Sequence, residues 1–183
     1  MKITIKTGLI FAFVWIAFKM IFFFTGALQE QIMPSVLLNI LCILLAISIG
    51  LYKQKRRENE ETSALHDIKN AMSAGVPYAL IVSCFLYFYY SNIDPEFNRH
   101  QIVEAEIGIK KMLSDSIEFE DVKSTRPEFE VMSQDEIYEE LIQGPRNFYK
   151  ASTTMTISML ALLLLATINS IFVTIVFRKV VFR

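Results

Sequence analysis

The chain has 183 residues, 53% of them hydrophobic and 13% aromatic, with fifteen Phe. A soluble domain of this length cannot hide so much apolar side chain, and the mean hydropathy of +0.39 points to lipid as the solvent. The formal net charge of −1 joins two unlike parts: residues 92–150 hold 14 Asp/Glu and 7 Lys/Arg, and the rest holds 5 acids and 11 bases.

In chain order, Met1 to Lys6 is a short basic stretch. Thr7 to Leu28 is apolar except for Lys19, and its 22 residues can cross a hydrocarbon core of about 30 Å at ~1.5 Å per residue. A secretory signal peptide, with Lys2 and Lys6 as its basic region and Thr25-Gly26-Ala27 as its cleavage site, is the alternative. The run is long for that, and Lys19 interrupts it. Gln29 to Met33 is a tight polar link. Pro34 suits the first turn of a second span, Pro34 to Tyr52, and so short a link makes these two helices antiparallel neighbours.

Lys53 to Lys69 reads as a charged loop, opening with Lys53, Lys55, Arg56 and Arg57 and turning acidic at Glu58, Glu60 and Glu61. Ala71 to Ser91 is the third span, with Gly75 and Pro77 marking a bend or close packing near its start. Ala151 to Phe177 is the fourth, followed by Arg178, Lys179 and Arg183. The fold class is therefore an all-α integral membrane protein, a single membrane domain over 1–183. Its four transmembrane helices cover about 7–28, 34–52, 71–91 and 151–177, with an extracytoplasmic helical loop over 92–150.

The basic residues of the short loop and the ends lie on one side, and the link Gln29 to Met33 carries none. The positive-inside rule then puts both termini in the cytoplasm of an inner-membrane protein and the acidic loop in the periplasm. Tyr52 on the inner side, and Tyr87, Tyr89, Tyr90, Phe148 and Tyr149 on the outer, suit interface positions.

Within the loop, Asp94-Pro95-Glu96 reads as N-cap, N1 and N2 of a helix running to about Leu113. Ser114 to Met132 reads as irregular, with Arg126-Pro127 disfavouring helix. Ser133-Gln134-Asp135-Glu136 is a capping box. It opens a short helix that Gly144-Pro145 stops. Two such helices are too small for an independent core, so the expectation is that they lie on the membrane surface or cap the bundle.

Four spans, a basic second loop, and an aromatic third span running through Tyr89 into Ile93-Asp94-Pro95-Glu96-Phe97 form a recognisable pattern. It resembles a family of small bacterial inner-membrane proteins of unknown function, frequent in Bacteroidota. The resemblance covers nearly the whole chain, with Lys69 and Gly75 adding support. It implies an integral membrane protein and brings no assigned activity or catalytic residues. Ser114 to Met132 is longer and more acidic than the resemblance implies.

Lys19 is the sharpest candidate for chemistry. It sits roughly 14–18 Å from either interface at ~1.5 Å per residue, and an intramembrane charge is a functional-site hypothesis by default. It is read either as bonded to Asn39, Ser83, a tyrosine or an anionic head group, or as snorkelling to the outer interface, or as neutral through desolvation. Phe11, Trp15, Phe18 and Phe22 form a stripe that reads as packing or lipid-facing surface. Glu96, His100 and Glu104, beside Asp94, share a face of the outer helix; they read as a solvated face rather than a metal site. Cys42 and Cys84 lie at similar depth and read as small packing residues rather than a redox pair. The cluster Lys53 to Arg57 sets topology in preference to binding anionic lipid.

No acid/base pair or metal set lies at membrane depth, so no enzyme and no cofactor is expected. The leading expectation is a non-enzymatic accessory or scaffold subunit whose acidic loop engages another membrane or periplasmic protein. The alternative is a small oligomeric transporter or channel using Lys19 and Asn39. The lipid bilayer is the one partner composition requires; a homo-oligomer is compatible, and nothing points to nucleic acid.

Overall fold

A computed structural model of the chain describes residues 2–26, 32–58 and 63–181. Among these residues every regular element is a helix: α1 (Ile3–Thr25), α2 (Ile32–Glu58), α3 (Ala64–Phe88), α4 (Pro95–Ser114), α5 (Ser116–Thr125), α6 (Gln134–Phe148) and α7 (Ala151–Val176). A π-helical turn, Tyr89–Ile93, follows α3, a second, Phe177–Val181, follows α7, and a 3-10 turn, Pro127–Glu130, separates α5 from α6. The chain divides into two compact units, Met1–Phe85 with Thr156–Arg183, and Leu86–Met155.

The helices α1, α2, α3 and α7 are each long and apolar enough to cross a membrane. Even the shortest, with 23 residues, reaches about 35 Å at ~1.5 Å per residue. The ends differ from the sequence reading. The first helix stops at Thr25, where Gly26 takes a left-handed cap at φ 67° and donates its N–H to Phe23 O at 3.3 Å. The second continues past Tyr52 to Glu58, because Lys, Gln and Arg are good helix formers and cations complement the negative end of the helix dipole. The third begins at Ala64, not Ala71. Ser63 caps it, its hydroxyl accepting the His66 N–H at 3.2 Å and its carbonyl the Asp67 N–H at 3.1 Å. The expected charged loop is thus largely two helix ends. Its acids Glu60 and Glu61, the link residues 29–31 and Arg183 lie outside the described residues.

In the first unit α3 meets the other three spans. A Cβ on Gly8 of α1 would land on the Ala74 carbonyl of α3, and one on Gly75 would stand 2.7 Å from Ala166 of α7 and 3.2 Å from Ile47 of α2. Each span turns a stripe of small residues inward at four-residue spacing: Thr4, Gly8 and Ala12 on α1; Ala46 and Gly50 on α2; Ala71, Gly75 and Ala79 on α3; Ala166, Ser170 and Thr174 on α7, all buried. Lipid tails are as apolar as leucine, so helices in a bilayer gain little from hydrophobic burial against one another. Close backbone approach between small residues supplies the packing instead. Many long apolar side chains point outward, including Phe13, Phe24, Leu37, Leu164 and Phe172, while Trp15, Ile43, Ile47 and Leu51 are buried.

The second unit keeps both predicted caps. Asp94 Oδ1 accepts the Phe97 N–H at 3.2 Å, with Pro95 at N1. Ser133 and Glu136 form the reciprocal box, at 3.3 Å for Glu136 N to Ser133 Oγ and 2.8 Å for Ser133 N to Glu136 Oε2.

Three expectations for this unit are overturned. Residues 114–132 are not irregular: Asp115 caps α5 by accepting the N–H groups of Ile117 and Glu118 at 2.9 and 3.3 Å. Arg126 is extended, as a residue before proline should be, yet Pro127 at once opens the 3-10 turn. Nor does Gly144-Pro145 end α6, which runs to Phe148. Proline removes one bond, to the Leu141 carbonyl, in the last turn of an exposed helix, where water can replace it.

The third correction follows from the first. The unit encloses a small core of Leu113, Phe129 and Ile137, with Phe119, Val122 and Leu141 packed against it. Three of these six come from the segment read as irregular. Gln134 Nε2 donates to Leu113 O at 2.7 Å and Arg146 pairs with Glu106 at 3.1 Å, which holds α4 and α6 antiparallel. Lys110 lies over the Tyr138 ring at 5.4 Å and Arg126 over Phe129 at 5.2 Å, so bases of the acidic loop serve its aromatics.

Candidate functional site

At the end of the bundle where α2 finishes, α3 begins and α7 finishes, Asp67 is buried, its side chain 2% exposed. Its Oδ2 accepts from Lys55 Nζ at 2.9 Å and from Arg178 Nη1 at 2.8 Å. The three residues come from α2, α3 and the π turn after α7. A carboxylate out of water is tolerated when charged and hydrogen-bonded partners reach it, and Asp67 also stands in the first turn of α3, at the positive end of that helix's dipole. Asn70, one turn on, is buried as well. The arrangement locks three helix ends together through one charge.

Reading residues 53–69 as a loop missed this site. The available signal was periodicity. Carrying the buried positions Tyr78, Ala74 and Ala71 back by helical spacing lands on Asp67.

The intramembrane candidates part company. Asn39 Oδ1 accepts the Tyr78 hydroxyl at 2.6 Å, and that hydroxyl also reaches Asn39 O at 3.3 Å. Tyr78 is fully buried, so this α2–α3 contact satisfies two polar groups inside the apolar stretch of the two helices. Lys19 is half-buried on α1. Ser83, one of the partners considered for it, is buried with its hydroxyl unpartnered among the described residues. The hydroxyls of Thr4, Ser170 and Thr174 share that state, whereas Thr7 and Thr167 donate back to carbonyls one turn earlier, at 2.9 Å each.

The aromatic stripe divides. Trp15 is buried, donates its indole N–H to Ser35 O at 3.3 Å and meets Phe85 edge-on at 6.2 Å, while Phe18 is exposed. Cys42 is buried and Cys84 exposed, and both are free thiols.

On α4, Glu96 pairs with Arg99 at 2.8 Å and His100 Nδ1 stands 3.7 Å from Glu104, all of them solvent-facing. Among the described residues no three His, Cys, Asp or Glu side chains converge as a metal set would. Asp94 is engaged locally: beyond the cap, its Oδ2 accepts the Tyr89 hydroxyl at 3.1 Å and its N–H closes the π turn on Tyr89 O at 2.9 Å. Tyr90 lies between Tyr89 and Phe97, at 5.1 and 5.5 Å. The junction that carried the family resemblance is thus a capped, aromatic-packed turn.

Comparison with curated proteins and with solved structures returns no match. Residues 6–179, from the start of α1 to the turn that holds Arg178, match one family along their length, and the chain belongs to it: the family described as "Protein of unknown function (DUF4199)".

Proposed function

We propose that the protein is a non-enzymatic accessory or scaffold subunit of the inner membrane. Both termini face the cytoplasm, and residues 92–150 form a binding module on the outer face. The observation that carries this reading is the small core of the second unit. A segment that only linked two spans would have no need to fold on itself, whereas a core fixes the surface that a partner would read. That surface combines acids with apolar side chains left outside the core, among them Val103 and Ile107 at 49% and 62% exposure, one turn apart on α4. Apolar anchors within a polar rim are how protein interfaces are built.

The test is quantitative co-purification after cross-linking in intact cells, comparing wild type with the double variant Val103→Asp, Ile107→Asp. Both side chains are exposed, so the fold should survive. Loss of a specific co-purifying partner supports the reading, and an unchanged set of partners overturns it.

A second reading, a small oligomeric transporter or channel, draws on the half-buried Lys19 and on the unpartnered hydroxyls of Thr4, Ser83, Ser170 and Thr174, which a permeating ion or water could solvate. The bond from Tyr78 to Asn39 weighs against Asn39 as an open pathway group. Flux in liposomes that is abolished by Lys19→Leu would favour transport; wild-type vesicles without flux would exclude it.

A further inference from the structure

Among the described residues, one flank of α3 beside α1 is only partly covered. Its buried stripe runs through Asp67, Ala71, Ala74, Tyr78 and Val82. The stripe about a third of a turn around the helix from it, exposed Leu65 with half-buried Ile68, Met72 and Val76, lines an open groove of about 610 Å³ with Ile5 of α1. The contact of Gly8 with Ala74 holds α1 against α3, and Ile5, nearly one turn before Gly8, forms the α1 wall. The volume is within the range of small-molecule sites, about 300–1,000 Å³. The wall is almost wholly apolar, and the cation on it, Lys69, is exposed. Lys69 belongs to none of the ion pairs found among the described residues.

The order along α3 matters. Lys69 stands two residues past Asp67, at the end of the bundle where Lys55 and Arg178 converge. Val76 stands seven residues deeper, about 10 Å along the helix at ~1.5 Å per residue. Charge at the helix end and an apolar trough running inward match one kind of molecule, an anionic amphiphile. We propose that this groove holds one anionic phospholipid, its acyl chain along Met72 and Val76 and its phosphate on Lys69. Complementary charge sets the head-group preference, and the trough sets retention. This site is independent of the outer module, and it does not require Lys19.

The test uses the full chain reconstituted in vesicles of phosphatidylcholine and phosphatidylglycerol in equal amounts with identical acyl chains, then released in mild detergent for native mass spectrometry. Wild type should retain phosphatidylglycerol over phosphatidylcholine. Lys69→Gln should cut that preference roughly five-fold, the weight of one basic residue at an anionic surface. Lys53→Gln, a charge change of the same size on α2, should leave it intact. Val76→Trp fills the trough and should remove the bound lipid with helix content unchanged by circular dichroism. Equal retention of the two lipids overturns the proposal, as does an equal loss in Lys53→Gln. A dimer dispersed by Val76→Trp also overturns it, by putting a second copy of the chain in the groove.

Discussion

Asp67 is the residue whose loss should be felt most. Breaking a buried ion pair by removing one of its members costs about 3–5 kcal/mol. Lys55 is 13% exposed and Arg178 40%, so both cations keep some hydration and Asp67→Ala should fall near the lower figure. Arg178→Gln should cost about 1 kcal/mol or less, as pairs open to solvent do, with Lys55→Gln between. Thermal unfolding in detergent ranks the three, and an Arg178 variant at least as damaging as Asp67→Ala would refute the lock. The capping box makes a pH prediction at the same scale. Hydrogen bonds from the backbone N–H and hydroxyl of Ser133 hold the Glu136 carboxyl below the usual carboxylate range. A folded value below the unfolded one of about 4.3 gives stability that is present above that pH and lost as pH falls through the folded value. The start of α6 should therefore hold from neutrality to about pH 5, and loosen in more acid solution. Carboxyl carbon-13 titration of the full chain reads this directly. Ser133→Ala removes the hydroxyl and keeps the backbone N–H, the larger cause, so the Glu136 titration should move only part of the way back up; an unmoved midpoint would show that the hydroxyl has no share in it.

Among elements, the small-residue stripes decide how the spans meet, and the glycines grade that claim. A methyl group at position 8 meets a backbone carbonyl, which cannot swing aside; one at 75 meets the Ala166 methyl at 2.7 Å; one at 50 meets the Ala74 methyl at 3.2 Å. Destabilisation should fall in that order, Gly8→Ala, Gly75→Ala, Gly50→Ala, with the first at or above the roughly 1–3 kcal/mol of an overpacked core. Gly108 has no atom within 4 Å of an added Cβ and sits in a helix, so alanine there should stabilise by about 0.4–1 kcal/mol, whereas at Gly144 an added Cβ faces the ring of Pro145, and alanine should bring no such gain. Chemical unfolding of the five variants checks the order, and an unharmed Gly8→Ala would mean that α1 and α3 do not touch there. Element legibility had a clear physical limit. Hydropathy revealed the four helices long and apolar enough to cross a membrane, because a span takes about twenty apolar residues in a row. Caps at Asp94 and Ser133 were legible because their signals sit within four residues of one another. Helix ends that carry charge were not: Lys53 to Arg57 reads as loop by polarity and as helix by propensity, and propensity won. That boundary error concealed Asp67, whose contact with Arg178 spans 111 residues and leaves no local trace. The core of the second unit was hidden for a similar reason, since Phe129 and Phe119 become core residues only once α4 and α6 are paired.

For the whole molecule the governing fact is charge separation. The acids concentrate in residues 92–150, while the short polar segments and ends carry the bases, and Lys55 and Arg178 converge at one end of the bundle. Positive charge near span ends resists translocation, whereas long acidic segments cross largely regardless of charge, and the proposed topology rests on that difference. The native thiols leave this testable: Cys42 is buried, and Cys84 lies within a helix long and apolar enough to cross a membrane, where a water-soluble reagent would not reach it. Gln143→Cys, exposed on α6, should react with a membrane-impermeant maleimide in intact cells once the outer membrane, where present, is made permeable to the reagent. Lys53→Cys, exposed at the other charged end, should react only after the inner membrane is opened. Labelling in the reverse order would invert the protein in the bilayer and move the proposed binding module to the cytoplasm. Labelling of both from outside would leave the four helices unable to span in the order in which they occur.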